Sequence, residues 1–196
     1  MAHSTKNESA WYDLVPLYSQ SRLSIRGAPL DKPDAHYKFF SPRPLSDSFF
    51  REFSWAVSVD RQPQDLIGNN LSWLIISERA KEALFTIPNL EAEFLELPKF
   101  VMADARYRCR AWLFHPMETI RAIDLKRSQL SWSTIGAEHI SSIQELCLDR
   151  QHLNGASSVF RLLEYEPIVI ANSVFKSAWE TARCKGIHFR PVAVSS

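Results

Sequence analysis

A strand-helix-strand pattern that occurs twice, 95 residues apart, constrains this chain more than any other feature of its sequence. In the first copy the apolar run Trp73, Leu74, Ile75, Ile76 reads as a buried strand. Ser77 follows as a helix N-cap, Glu78 complements the positive helix end, and Ala80, Ala83, Leu84 and Ile87 form an i, i+3, i+4, i+7 stripe. Pro88 and Asn89 stop the helix, and Ala92 and Phe94 then alternate with polar neighbours as a half-exposed strand ending at Leu97 and Pro98. The second copy has Ile168, Val169 and Ile170 as the strand, Asn172 as the cap, and Phe175, Ala178, Trp179 and Ala182 as the stripe. Gly186 is the expected helix stop, with Ile187 and Phe189 alternating after it. Ile75/Ile170, Lys81/Lys176, Ala83/Ala178, Thr86/Thr181 and Phe94/Phe189 are identical at this offset, where usage rates of about 5–7% per residue type would give one or two. Shared patterning alone can mimic duplication, so two similar modules is the reading. If the strands of a module are neighbours, each connection is a right-handed crossover and the sheet is parallel there.

The stretch between the modules reads as β-rich. Arg106, Arg108 and Arg110 alternate with Tyr107, Cys109 and Ala111, the period-two spacing of a strand with one cationic face. Ile120, Ala122 and Ile123 lead into Asp124-Leu125-Lys126-Arg127-Ser128, a turn over the surface; Ile143, Leu146 and Leu148 form another apolar stretch. Val159-Phe160-Arg161-Leu162 reads as a strand after the loop Asn154 to Ser157.

Residues 1–64 carry six prolines that break any long helix, yet Trp11, Tyr12, Tyr18, Tyr37, Phe39, Phe40, Phe49, Phe50, Phe53 and Trp55 have large areas to bury. The expectation is a 1–64 aromatic- and proline-rich segment packed on a 65–196 core. With 196 residues, the fold class expected is α+β: a single domain with a mixed, β-rich sheet and two similar strand-helix-strand modules.

Charge and motifs narrow the function. Lys and Arg total 23 against 22 Asp and Glu, without the excess that drives binding to nucleic acid or anionic membranes. No apolar run approaches a membrane span or signal peptide, and three widely spaced cysteines, Cys109, Cys147 and Cys184, suit a reducing cytoplasm. Five glycines leave no phosphate-cradling loop, nucleophile elbow or dinucleotide fingerprint, so no cofactor is expected, a small-molecule ligand is not favoured and the chain reads as no enzyme. Two weak constellations remain: His115 with Glu118, three apart as on one helix face, and His139, Asp149 and His152, a possible metal or acid-base group in a hydrolase. Arg106, Arg108 and Arg110, extended by Arg121, Lys126 and Arg127 with Trp132 as an anchor, suit an acidic protein partner, and a nucleic acid less well. A solvated strand face accounts for the same arginine spacing.

Four segments in order carry a resemblance: Ile76-Ser77-Glu78-Arg79 opening a helix, Ile123-Asp124-Leu125 followed by Ser128, Val159-Phe160-Arg161-Leu162, and Gly186-Ile187-His188-Phe189-Arg190-Pro191-Val192. Across roughly residues 71–192 the chain resembles immunity protein family eleven of the bacterial polymorphic toxin systems. It departs at Ala171-Asn172, where a small hydroxyl or acidic pair is more usual, although asparagine still caps a helix. The resemblance implies a cytoplasmic protein that binds a cognate toxin or effector, encoded by the adjacent gene, and blocks it without catalysis. It transfers no functional residue. The rival functions are a metal-dependent hydrolase using His139, Asp149 and His152, and an arginine-mediated nucleic-acid-binding module.

Overall fold

The structure is a computed structural model that describes residues 10–17, 44–45, 55–57, 64–67, 73–97, 100–102, 110–134 and 139–195. In chain order the strands are β1 (Trp11–Pro16), β2 (Trp55–Val57), β3 (Leu66–Ile67) and β4 (Ile75–Ser77), followed by helix α1 (Glu78–Phe85). Next come β5 (Ala92–Glu96), β6 (Phe100–Met102), β7 (Ala111–Pro116), β8 (Thr119–Ile120), β9 (Gln129–Trp132), β10 (Ile140–Glu145) and β11 (Cys147–Asp149). A 3-10 turn (Arg150–Leu153), β12 (Val159–Leu162), β13 (Val169–Asn172), helix α2 (Ser173–Thr181) and β14 (Ile187–Ser195) complete the order. The class is α+β. No helix among the described residues is long and apolar enough to cross a membrane.

One sheet has six strands in the order β11-β14-β1-β13-β12-β8, another has four in the order β3-β4-β7-β5, and β9/β10 and β2/β6 form two-stranded pairs. The six-stranded sheet is mixed: β11/β14 and β12/β8 run parallel, the other neighbours antiparallel. The strands flanking each helix are not neighbours, in contrast to the crossover that a simple strand-helix-strand reading allows. β7 lies between β4 and β5, antiparallel to both, and β1 lies between β13 and β14 in the same way. Antiparallel pairing is slightly the more stable per residue, and the inserted strand satisfies an inner edge of each flanking strand. Residues 11–16, from the proline-broken first third, are thus an interior strand.

Strand alternation sends side chains from the six-stranded sheet into two cores. Leu14, Val159, Val169 and Ala171 face Phe175 and Trp179 of α2, Ala80 and Leu84 of α1, and Trp112 and Phe114 of β7. On the other face Trp11, Phe160, Leu162 and Ile170 pack with Ile123, Ile140, Leu148 and Leu153.

Both caps form as their residue types dictate. Ser77 Oγ accepts from Ala80 N, and Asn172 Oδ1 accepts from Val174 N and Phe175 N. The stop after α2 differs from expectation. Arg183, not Gly186, adopts the left-handed conformation (φ 54°), while Arg183 N and Cys184 N donate to the carbonyls of Glu180 and Trp179. Gly186 (φ 105°) is needed for a close approach instead, because a Cβ there would sit 2.7 Å from the Leu66 carbonyl oxygen.

That approach is fixed by a buried carboxylate. Asp65 accepts from Ser77 Oγ (2.7 Å), Arg79 Nε and Nη2 (3.0 and 2.6 Å) and Lys185 N (2.8 Å). Burial alone raises its pKa, and these four donors together outweigh it and hold the carboxyl below its ordinary range. Asp13, paired with Arg190, shows the opposite balance: burial wins and its pKa is raised.

Candidate binding surface

The cationic residues of the middle stretch fall into three groups. Arg106 and Arg108 lie outside the described residues. Arg110 directly precedes β7, exposed but engaged: its Nε and Nη2 donate to Glu96 Oε1 and Oε2 (2.7 and 2.8 Å), its Nη1 lies 3.5 Å from Glu78, and its guanidinium covers the Trp112 ring at 5.0 Å. Glu96 in turn is held below its usual range, chiefly by Arg110. This residue therefore ties β7 to β5 and α1.

Arg121, Lys126 and Arg127 are exposed around a turn built to project them. Asp124 Oδ1 accepts from Lys126 N and Arg127 N (3.0 and 3.2 Å), and the Asp124 carbonyl accepts from Ser128 N. Both ends are pinned to β11. Asp124 N donates to the Cys147 carbonyl, while Ser128 Oγ donates to that carbonyl and accepts from Cys147 N. Burial tends to raise the Asp124 pKa, but the Ser195 hydroxyl and these amides keep it below normal. With the turn rigid, Leu125 stands 55% exposed at its tip. Trp132, 47% exposed, ends β9, the strand that follows the turn. Apolar anchors amid cations are what a protein contact uses.

The histidine constellations separate. His152 Nδ1 meets Asp149 Oδ2 at 3.4 Å, and Asp149 also caps the 3-10 turn through Gln151 N. His139 does not join them, and among the described residues no three such side chains converge on a metal position. His115 is buried on β7, a strand where the i, i+3 spacing suggested a helix, and Glu118 follows it, accepting from Ser157 N. The two described cysteines are free; burial raises both thiol pKa values, Cys184 to about 11 with Asp65 adding to the effect.

One surface escaped the sequence reading. Ala83 and Thr86 of the α1 end and Val174, Ser177, Ala178 and Thr181 of α2 line an open groove of about 540 Å³. Phe85, 72% exposed, is carried by the same helix. It lies off the Ala80-Ala83-Leu84-Ile87 stripe, so its outward direction was legible, though the pairing of two helices 95 residues apart was not.

Among curated proteins none matches the chain. A protein-family model does: that of the immunity protein family Imm11, over residues 3–194, which takes in β1 and the first third that the four-segment resemblance left out. The chain, matched along nearly its whole length, belongs to the Imm11 immunity protein family.

Proposed function

We propose that this protein binds and neutralises a cognate toxin or effector by surface contact, in the cytoplasm of the cell that makes both, with no chemistry of its own. Membership of an immunity family over residues 3–194 is the observation that carries the reading. Of the sequence-derived surface residues, Leu125, Lys126, Arg127 and Trp132, with Arg121 beside them, form the proposed contact. Their turn is held rigid by Asp124 and Ser128, so little side-chain and backbone freedom is lost on docking. The spacing from Leu125 to Trp132 fits within one side of a standard interface, about 800 Å² per partner. Cations around two apolar anchors call for an acidic patch on the toxin.

Co-expression with the toxin encoded beside it is the test. The pair K126E/R127E and the single variant W132A should each lose protection and weaken binding at least tenfold while leaving the urea midpoint unchanged. F85D, on helix α1, should still protect. Full protection by both first variants, or its loss only in F85D, overturns this assignment of the contact. Failure of the wild type to bind the adjacent toxin overturns the function itself.

A further inference from the structure

The likeness between the two modules extends beyond their sequences, into strands that the 95-residue offset does not reach. β4 pairs with β7 as Ser77↔Ala111, Ile76↔Trp112 and Ile75↔Leu113; β13 pairs with β1 as Asn172↔Trp11, Ala171↔Tyr12 and Ile170↔Asp13. On the other side, Ala92↔Pro116 and Glu96↔Trp112 correspond to Ile187↔Pro16 and Pro191↔Tyr12. One rule relates every pair: 95 residues for the module strands and 100 for the inserted strand. The outer strands agree too, with β3 and β12 offset by 93 residues: Leu66↔Ile76 with Val159↔Ala171 and Ile67↔Ile75 with Phe160↔Ile170.

Hydrogen bonds outside the ladders keep the same correspondence, with Asp65 and Ser158 at the 93-residue offset of the outer strands. Met117 N donates to the Glu91 carbonyl at 2.9 Å and Leu17 N to the Gly186 carbonyl at 2.8 Å. Ser77 N donates to the Asp65 carbonyl and Asn172 N to that of Ser158, and in each case the cap side chain also donates to the side chain of the same residue. Lys81 Nζ lies over Trp112, and Lys176 Nζ over Tyr12, at 3.6 and 4.5 Å. Two further hydrogen bonds cross between the halves, from Lys185 N to Asp65 and from Glu91 N to Ser157 Oγ. Ala83 and Thr86 meet their counterparts Ala178 and Thr181 in one groove, as residues near a two-fold axis must.

Chain order now matters. β1, β3, β4, α1, β5 and β7, β12, β13, α2, β14 are equivalent elements in the same order, yet β1 sits in the sheet of the second set and β7 in the sheet of the first. We infer that residues 11–97 and 111–195 are two copies of one unit that have exchanged their first strands. Each half presents an open slot between two parallel strands, and the partner that slot fits is the six-residue strand of the other half. Domain swapping normally joins separate protomers; here it joins two repeats of one chain.

The full-length chain tests this when a protease site is placed between Leu97 and Arg110 and cut. The two fragments should co-elute as a 1:1 pair, with a urea midpoint that rises with protein concentration, as for any non-covalent pair. Fragments that part and stay folded alone, or that part and do not regain structure on mixing, overturn the inference. In the uncut chain, with Cys109, Cys147 and Cys184 replaced by serine, Y12C/P191C should close an intrachain disulfide, because Tyr12 faces Pro191 in a pair without hydrogen bonds, where side chains lie closest. Y12C/E96C reports the unexchanged arrangement, since Glu96 faces Trp112, the counterpart of Tyr12. A disulfide in Y12C/E96C and none in Y12C/P191C also overturns the exchange.

Discussion

Single residues here act through burial and backbone geometry. Asp65 and Asp13 are both almost completely buried carboxylates next to an arginine, yet their protons pull stability in opposite directions. Asp65 has a depressed folded pKa, so its contribution is fully present above the ordinary carboxylate range and is lost as pH falls through and below it. Asp13 has a raised folded pKa, so ionising it costs stability as pH climbs from the ordinary value through the raised one. Urea unfolding between pH 3 and 7 should therefore show Asp65→Asn falling further behind wild type as pH rises, and Asp13→Asn gaining on it. Parallel pH profiles for the two variants would contradict this balance. Gly186→Ala faces both a positive φ and the Leu66 backbone, and should lose about 3 kcal/mol in the same assay, from strain plus displaced packing. Cys184, with its thiol pushed up to about 11, should react with a thiol reagent at pH 8 far more slowly than an unfolded control.

At the level of elements, the helices and their caps were readable because the signals are local. Ser77 and Asn172 cap as their side chains permit, and Ala80, Leu84, Phe175 and Trp179 are buried along the stripes that place them. Ser77→Ala and Asn172→Ala should each cost about 1 kcal/mol in denaturant melts, Ser77→Ala somewhat more because Asp65 also loses a donor. The binding surface was less readable, for a physical reason. Alternating arginines mark a strand face, but what each guanidinium meets depends on pairing register, and Arg110 is taken up by Glu96 and Glu78 from elements the spacing does not reveal. The Asp124–Ser128 turn was visible because its side chain-to-backbone bonds are local. Strand β1 was harder. Against β7 it shares only the final proline as an identity, with Tyr12/Trp112 and Leu14/Phe114 as related pairs, too little in six residues to stand out without the sheet.

Across the whole molecule, the cores are shared between the halves. Leu14 from near the start packs in the same cluster as Trp112, Ile76 and Trp179, so neither half closes its apolar surface alone. Unfolding by urea should be a single transition by both tryptophan fluorescence and far-ultraviolet dichroism; two separated transitions would mean that the halves are independent. Trp179→Ala, which removes a side chain 1% exposed, should lower that one transition by about 3–5 kcal/mol. The position of β1 carries a consequence for the living cell. On the ribosome Trp11–Pro16 emerge well before the strands that receive them, Val169–Asn172 and Ile187–Ser195. At about 5–20 residues per second, β1 waits many seconds for β14, and a polypeptide released before residue 187 never offers that neighbour. Synthesis cut short before β14 thus leaves the six-stranded sheet open beside β1, and only polypeptides that extend past that strand can close it.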